Sequence, residues 1–311
     1  MLGSKKEPKM SHAKRNWNQY NQSLVNRGSI NLWIDHDVFA DWMEDRTNLR
    51  KRGRPRFSKE LIKVGLVLKS VYRLTYRSLQ GFLSSIFKRA SPNYSLFCKR
   101  AAEVAKELPK LSNRRPTELI IDSSGLKVCG EGEWKVKVHG QDQRRRWVKM
   151  HIAIDAATQE IIATEITDSS VGDSIMLPVL VESSPKSVRS VLADGAYEGT
   201  SCRRFLHHRG LEAKIPPRIN GLIKEDPVLA ERNDAITIIQ NLGGGLEAKK
   251  LWKKLVGYHR RSLVETAFSR IKRLFGDRLL CRKFTNQVAE SLIRCHVLNR
   301  MTRVMSDNSY L

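Results

Sequence analysis

One acidic residue, Glu265, lies among cations in the segment YHRRSLVETAFSRIKRLFG at 258–276. The segment is predicted to be a helix, and at about 100° per residue three other polar residues share one narrow stripe with it: Tyr258, Arg261 and Lys272. An apolar stripe runs beside them: Val264, Phe268, Ile271 and Phe275. The helix can therefore pack against the rest of the protein through this apolar stripe, with the Glu265 side chain facing nearly the same side. A plain ion pair on a solvated helix surface is the alternative interpretation.

Two further acids stand at the predicted ends of β-strands. ELIIDSSGLKV is predicted to be a buried strand that ends at Asp122, and SVRSVLADGAY to be another that ends at Asp194. Active sites of open sheets collect at the carboxyl ends of strands, and Gly195 permits a tight turn after the second acid. Each aspartate taken alone is more simply a turn or helix-capping residue. Two such acids in one very basic chain favour a functional site.

Acids on two strands and a helix suit the chemistry of phosphodiester cleavage. Cleavage with two metal ions about 3.5–4 Å apart needs carboxylates that hold the ions. Mg²⁺ prefers oxygen ligands and takes a few carboxylates together with waters and substrate phosphates. Asp122, Asp194 and Glu265 can converge at one sheet edge although they are distant in the chain. The cations around Glu265 would then hold the DNA phosphates that the acids repel.

The charge of the chain indicates a polyanionic partner. Its 311 residues include 56 Lys and Arg but 32 Asp and Glu, a net charge of +24, which suits nucleic acid first and an anionic membrane surface second. No apolar run approaches the roughly 18–20 residues of a membrane span, and no apolar segment follows the basic N-terminus as in a secretory signal. Five singly scattered cysteines disfavour a structural zinc site and are typical of reduced thiols in a cytoplasm.

The run NLRKRGRPRFSK at 48–59 carries five closely spaced cations: Arg50, Lys51, Arg52, Arg54 and Arg56. Because Pro55 disfavours the helical region for the residue before it, this strip is predicted to be extended. An extended strip rich in arginine can lie in a narrow A·T minor groove. A solvated linker with a charge run is an equally good interpretation.

Apolar residues take helical spacing after Ser58, which is a predicted N-cap. Three short helices are predicted: 59–72, 76–87 and 94–108. The third carries Lys99 and Arg100, and the spacing is compatible with a helix-turn-helix unit that binds DNA. Generic packing of three small helices explains the same pattern.

From about 117 the apolar pattern changes from helical to alternating. Three strands come first; helices and strands then alternate, with a fourth strand that ends at Asp194 and a fifth stopped by a Pro-Pro pair. This order predicts an α/β fold with a mixed five-stranded sheet and helices on its faces. Residues 218–255 are predicted to be an irregular insertion with a glycine loop at 243–245, and two helices follow it.

These motifs resemble those of the DDE transposases of bacterial insertion sequences, specifically insertion-sequence family five. The helix matches the family signature Y-(2)-R-(3)-E-(6)-K without a gap: Tyr258, Arg261, Glu265 and Lys272. IDSSGLKVCGEGEWKVKVHG and ADGAY are similar to the first and second acid motifs of the family. NWNQYNQSLVNRGSINLWI and YRLTYRSLQGFLSSIF are similar to its N-terminal segments, so the resemblance runs over roughly 17–300.

The resemblance implies a ribonuclease-H-like catalytic core preceded by a DNA-binding region. The implied metal-binding and catalytic triad is Asp122, Asp194 and Glu265. The implied contacts to phosphates at the transposon end are Tyr258, Arg261 and Lys272. The implied boundaries are 1–110 for the basic helical region that binds terminal inverted repeats, 111–217 and 256–305 for the core, and 218–255 for the insertion.

The implied activity is cleavage at the element ends to give 3′-hydroxyls, followed by their joining to target DNA. The implied cofactor is Mg²⁺ as two ions, with Mn²⁺ as a substitute, and the implied partners are double-stranded DNA and further copies of the chain in a homodimer or larger synapse. The implied location is the bacterial cytoplasm, at the nucleoid. Two alternatives stay open: a metal-dependent nuclease of the same fold that cuts without joining, and a non-catalytic DNA-binding protein.

Overall fold

The structure, a computed structural model, describes residues 17–34, 57–88, 90–128 and 147–306. The helices in these ranges are α1 (Trp17–Gly28), α2 (Lys59–Val71), α3 (Tyr76–Phe87), α4 (Tyr94–Lys106), α5 (Asp173–Glu182), α6 (Thr200–His208), α7 (Ala230–Asn241), α8 (Gly245–Leu255), α9 (Ser262–Phe275) and α10 (Phe284–Ser306). The strands are β1 (Glu118–Val128), β2 (Trp147–Asp155), β3 (Ile161–Asp168), β4 (Ser190–Leu192), β5 (Glu212–Lys214) and β6 (Arg278–Leu279). None of these helices has the length and apolarity that crossing a membrane requires.

One mixed sheet forms the centre of the structure. Its strands lie in the order β3-β2-β1-β4-β5, and β6 also pairs with β1. β1, β2 and β3 are antiparallel neighbours, whereas β4 and β6 run parallel to β1, and β5 runs parallel to β4. The expected α/β fold, a mixed sheet with flanking helices, is confirmed.

A sixth short strand extends the five-stranded sheet that the sequence predicts. β4 pairs with β1 only as far as Ile120, so the edge of β1 beyond that residue has no neighbour from β4. β6 pairs with the far part of this edge at Lys127 and Val128, and the Lys127 N–H donates to the carbonyl of Asp277 at 3.0 Å. A strand of two residues is too short to produce an alternating pattern, which explains why the sequence does not predict it.

Both faces of the sheet are buried under helices. Ile120 and Leu192 belong to one core, to which α2, α3, α4, α9 and α10 contribute, while Leu119 and Ile121 belong to the other, with α5 and α6. Successive side chains of β1 alternate between the two cores because a strand has a period of two residues. Asp122, two residues after Ile120, therefore lies on the side of the sheet that α9 covers.

The N-terminal helices begin at side-chain caps and share a core with the sheet. Ser58, Thr75 and Asn93 each accept a hydrogen bond from a backbone N–H in the first turn of α2, α3 and α4, so the predicted N-cap at Ser58 is confirmed. The apolar faces of these three helices join the core on the α9 side. DNA binding by this region and a domain boundary at residue 110 stay predictions.

The close packing of α2 on α4 leads to a stability prediction at Gly65. A Cβ atom at this position would lie 2.4 Å from Cε1 of the fully buried Phe97 ring. We expect Gly65→Ala to lower the free energy of unfolding by about 1–3 kcal/mol, although alanine is the better helix former. Gly81→Ala on α3 is the control, since no atom lies within 4 Å of its Cβ, and it should raise stability by up to about 1 kcal/mol. Urea unfolding measures both changes, and a stabilised Gly65→Ala variant would contradict the packing.

The segment 218–255 is more regular than the sequence predicts. Helices α7 and α8 occupy most of it, and the predicted glycine loop is the turn between them, where Gly243, Gly244 and Gly245 all have positive φ. The two helices pack against each other, with Ile236 and Trp252 buried. Their exposed faces carry leucines and isoleucines as well as charges, which obscures the helical period in the sequence. The role of this segment as an insertion stays a prediction.

Candidate active site

The two aspartates come together because β4 runs parallel beside β1. Leu192 on β4 is the register partner of Ile120 on β1, and Asp194 and Asp122 each lie two residues further along. The two aspartates therefore lie at the same level and on the same side of the sheet. Asp194 also accepts a hydrogen bond from the Ala196 N–H at 2.8 Å, so it caps the short turn that follows, as the simpler sequence interpretation proposed.

Asp122 lies inside a strand, not at the strand end that the sequence predicts. β1 continues to Val128 because the residues after Asp122 keep pairing with β2. The neighbouring strand β4 is the one that ends near this level, because its last residue, Leu192, pairs with Ile120. Asp122 thus lies beside the carboxyl end of β4, in the gap between β4 and β6 along one edge of β1.

Helix α9 packs on the sheet through the apolar stripe that the sequence predicts. All four stripe residues are buried: Val264, Phe268, Ile271 and Phe275. The α-helix begins only at Ser262, however, because 258–261 form a 3₁₀ turn. Gly257, with a φ of 68°, precedes this turn, and Tyr258 lies buried with its hydroxyl donating to the carbonyl of Ala193 at 3.3 Å. The single polar stripe of the sequence interpretation is therefore divided at residue 261.

One guanidinium, that of Arg261, contacts all three acids. Its Nη2 lies 2.9 Å from Asp122 Oδ2 and 3.8 Å from Asp194 Oδ2. Its Nη1 donates to Glu265 Oε1 at 2.8 Å, one helical turn along the chain. Two strands and a helix that are distant in sequence thus bring their carboxylates around a single positive charge.

Burial controls the electrostatics of this cluster. Burial raises the pKa of the Asp122 carboxyl above its ordinary value, although Arg261 and the Ser123 N–H, 2.9 Å from Oδ1, act in the opposite direction. Burial alone would lower the pKa of Arg261, but the surrounding anionic groups, Asp122 first among them, outweigh it and raise that pKa. Ionised Asp122 therefore depends on nearby positive charge, whereas the Glu265 side chain, 58% exposed, is open to solvent.

A cleft of about 470 Å³ opens between β1 and α9 beside Asp122 and Glu265. Lys272 and Arg273 from α9 line it, together with Ser124 from β1. The Lys272 ammonium donates to Ser124 Oγ at 2.6 Å, which holds this cation at the cleft. A cleft that combines acids with cations can receive a phosphodiester, because cations bind its oxygens with charge-assisted hydrogen bonds.

The other basic residues predicted to bind DNA do not line this cleft, or lie outside the described residues. Lys99 is exposed on α4. Arg100 on the same helix is half-buried, donates to the carbonyl of Phe57 at 2.7 Å and pairs with Glu103 at 3.8 Å, so it ties α4 to the start of α2. Five lie outside the described residues: Arg50, Lys51, Arg52, Arg54 and Arg56. DNA contact by all of these residues stays a prediction.

The sequence interpretation missed polar residues that support the acids. Ser124 is the partner of Lys272, and the period of two along β1 could have identified it, because it lies on the same side as Asp122. Arg260 donates to Glu118 on β1 and so anchors the turn that carries Arg261. No local pattern could have revealed that ion pair, because its partners are brought together only by the packing of the turn against the sheet.

Comparison with known families identifies the family of this chain. A family model described as the transposase DDE domain matches residues 113–300, more than half of the chain. The chain belongs to the DDE transposase family. A second transposase DDE domain model matches residues 25–131. The longer match contains all three acids of the cluster: Asp122, Asp194 and Glu265.

A solved transposase structure is also similar to this DDE transposase. The cryo-EM structure of the piggyBac transposase synaptic complex with hairpin DNA matches with 11% sequence identity and a TM-score of 0.46. The match covers 91% of this chain and 78% of that chain.

DDE transposases use divalent metal ions, and the oxygen donors of this site are of the chemical type that such an ion prefers. Among the described residues, no group of three His, Cys, Asp or Glu side chains is arranged closely enough to hold a metal. The three carboxylates instead surround the Arg261 guanidinium, which supplies the positive charge there. Carboxylate oxygens are the ligands that hard cations such as Mg²⁺ prefer, and their convergence on one cation matches that need.

Proposed function

We propose that this chain is a DNA transposase of an insertion sequence, in insertion-sequence family five. It binds the terminal inverted repeats of its element, cleaves at the element ends to leave 3′-hydroxyls, and joins them to target DNA. The observation that carries the proposal is the convergence of Asp122, Asp194 and Glu265 on one cation beside a cleft that Lys272 and Arg273 line, in a member of the DDE transposase family.

The three carboxylates would hold two Mg²⁺ ions, with Mn²⁺ as a substitute. Bound ions of this kind supply Lewis-acid activation of the attacking oxygen and neutralise charge that develops on the phosphate. Asp122 on β1 and Asp194 after β4 are fixed by the sheet, while Glu265 approaches from α9. Burial raises the pKa of Asp122, and a bound cation would favour its ionised form.

The cations of the site would hold the DNA backbone. Arg261 can exchange its contacts with the carboxylates for contacts with a phosphate once metal neutralises the acids, because its planar fork matches phosphate geometry. Lys272 lies at the cleft through its bond to Ser124 and would bind a phosphate as a point charge. Tyr258 is buried, so it would act by fixing the turn before Arg261 against Ala193, and its role in phosphate binding is indirect.

Both chemical steps are in-line displacements at phosphorus. Water attacks the phosphodiester at the transposon end in the first step, and the released 3′-hydroxyl attacks target DNA in the second. One site can serve both because the attacking and leaving oxygens occupy equivalent positions. The protein contributes positioning and charge stabilisation, and no covalent bond to an enzyme group forms.

The remaining parts of the proposal concern assembly and location. The N-terminal region would recognise the inverted repeats, and a homodimer or larger synapse would pair the two element ends. The excess of 56 Lys and Arg over 32 Asp and Glu supports a double-stranded DNA partner. The protein would work in the bacterial cytoplasm, at the nucleoid.

The salt dependence of DNA binding tests the role of Lys272. If this residue neutralises one phosphate, Lys272→Gln should lower affinity for every DNA sequence and reduce the slope of log K against log salt by about 0.9. Lys254→Gln, at an exposed position on α8 away from the cleft, is the control and should leave the slope unchanged. Fluorescence anisotropy at several salt concentrations measures both. Equal slopes for wild type and Lys272→Gln would show that Lys272 contacts no phosphate.

One reconstitution experiment tests the proposed function against both alternatives. Labelled DNA that carries the element's terminal inverted repeats is incubated with the protein, a target plasmid and Mg²⁺. Cleaved ends with 3′-hydroxyls and labelled joined plasmid are expected. Cleaved ends without joined product would favour the nuclease, and binding without either product would favour a non-catalytic DNA-binding protein.

A further inference from the structure

A second polar cluster lies directly behind Asp122, centred on Asp173 at the first residue of α5. Ser123 Oγ donates to Asp173 Oδ1 at 2.8 Å. The Lys149 ammonium, from β2, donates to the same oxygen at 3.2 Å and to the carbonyl of Val171 at 2.8 Å. His151 Nδ1 lies 3.9 Å from that oxygen. One carboxylate thus joins β1, β2 and the start of α5.

His151 extends this cluster to a third strand. Its ring is fully buried, and its Nε2 lies 2.9 Å from Thr167 Oγ1 on β3. Burial lowers the pKa of His151, which keeps the imidazole neutral despite the approach of Asp173. Lys149 is therefore the cationic partner of Asp173, and the contacts of the cluster link β1, β2 and β3.

Ser123 connects this block to the active site with two separate hydrogen bonds. Its backbone N–H donates to Asp122 Oδ1 at 2.9 Å, and its hydroxyl donates to Asp173 on the other side of the sheet. The two side chains point to opposite sides because they are consecutive on β1. The Asp122 carboxylate is thus oriented by a residue that Asp173 itself holds in place.

We propose that Asp173 is a positioning residue for the reaction: through Ser123 it fixes the orientation in which Asp122 presents its carboxylate to the catalytic metal. The inference rests on the proposed function, since it assigns Asp122 to metal binding. Asp173 is not among the residues that line the cleft and makes no ion pair with Arg261, so its contact with the site runs through Ser123. Catalytic groups need placement within about 0.5 Å, which neighbours locked by hydrogen bonds provide.

A purely structural role for Asp173 makes a different prediction. An acid at a helix N-terminus with a lysine partner stabilises a fold whether or not a metal site lies nearby. In that case its loss would lower the melting temperature and leave metal affinity unchanged. Hydrogen-bond partners that orient metal ligands instead affect metal affinity or activity by about 10–100-fold when they are lost. Metal affinity therefore distinguishes the two roles.

The test compares the full-length wild type with Asp173→Asn, Ser123→Ala and Ser123→Thr. Mn²⁺ binding is measured by the loss of the free Mn²⁺ electron paramagnetic resonance signal, and the Mg²⁺ dependence of cleavage is measured on inverted-repeat DNA. Asp173→Asn and Ser123→Ala should weaken Mn²⁺ binding by about 10-fold or more and raise the Mg²⁺ needed for half-maximal cleavage to match. Ser123→Thr keeps the hydroxyl and should restore both values to near those of wild type.

Asp226→Asn is the matched control. Like Asp173, Asp226 lies at the start of a helical segment and pairs with a cation: it caps a 3₁₀ turn through the Val228 N–H and lies 3.6 Å from Arg204, and neither partner lines the cleft. Asp226→Asn should bind Mn²⁺ as wild type does.

Wild-type Mn²⁺ affinity in both Asp173→Asn and Ser123→Ala would overturn the inference. If Asp173→Asn does not fold, the comparison of Ser123→Ala with Ser123→Thr decides the question. Failure of the wild type to cleave would count against the proposed function, while the Mn²⁺ measurement would still test the positioning role.

Discussion

Asp122→Asn is expected to abolish DNA strand cleavage and joining, with a fall in rate of about 10³-fold or more. The amide keeps the size of the side chain but removes the charge that a metal needs. The fold should survive, because burial already raises the pKa of Asp122 and a neutral group is tolerated there. Cleavage of labelled inverted-repeat DNA, with melting temperature and DNA affinity measured on the same preparation, checks this expectation.

Glu265→Gln tests the same prediction at a second acid, and Glu247→Gln is its matched control. Glu265 lies in the first turn of α9 and pairs with Arg261, while Glu247 lies in the first turn of α8 and pairs with Lys250 at 2.7 Å. Glu265→Gln should lose activity about as severely as Asp122→Asn. Glu247→Gln should keep wild-type activity. Cleavage that persists in Glu265→Gln would remove this residue from the proposed triad.

The second large effect is expected at Arg261. Arg261→Ala leaves the carboxylates of Asp122, Asp194 and Glu265 without the cation that they share. We expect a loss of stability of about 1–3 kcal/mol, because Asp122 keeps only 14% of its side chain exposed and would be left without its charged partner. We also expect strand transfer to fall by about 10²-fold, because one preorganised phosphate-binding group is removed.

Divalent metal should raise the thermal stability of Arg261→Ala by more than it raises that of the wild type. In the wild type, a metal held by the proposed triad would compete with the guanidinium for the same carboxylate oxygens, and in Arg261→Ala it would not. Mg²⁺ should therefore raise the melting temperature of Arg261→Ala by more than it raises that of the wild type. Arg261→Lys should fall between them, since a lysine keeps the charge but cannot reach three carboxylates with one planar fork.

Arg260→Ala separates this effect from the general loss of an ion pair. Arg260 is the adjacent cation, but its guanidinium donates to Glu118, which lies at the start of β1 away from the triad. Arg260→Ala should lose stability without any increase in the Mg²⁺ response. Thermal unfolding with and without Mg²⁺ measures all four proteins. An equal Mg²⁺ response in Arg261→Ala and wild type would show that the guanidinium does not compete with metal.

Local patterns in the sequence predicted much of the fold. The apolar runs of β1 and β3, the alternating apolar residues of β2 and the helical spacing of α2, α3 and α9 need only neighbours along the chain, and the structure confirms these elements. Elements without a clear apolar period were harder to predict from the sequence. β6 has only two residues, and α7 and α8 carry exposed apolar side chains that obscure their amphipathic pattern. The 3₁₀ turn at 258–261 was not predicted either, because a helical wheel assumes one unbroken α-helix.

By itself, the sequence determined which residues could carry the chemistry: two aspartates at predicted strand ends, one glutamate on a stripe of a predicted amphipathic helix, and a large excess of cations in the chain. Only the tertiary structure decided how they meet. The register of β4 against β1 brings Asp194 level with Asp122, and the packing of α9 on the sheet brings Arg261 among the acids. The contact between Ser123 and Asp173 likewise requires α5 to begin behind β1. Such contacts depend on strand register and helix docking between distant segments, and a local pattern of residue types contains neither.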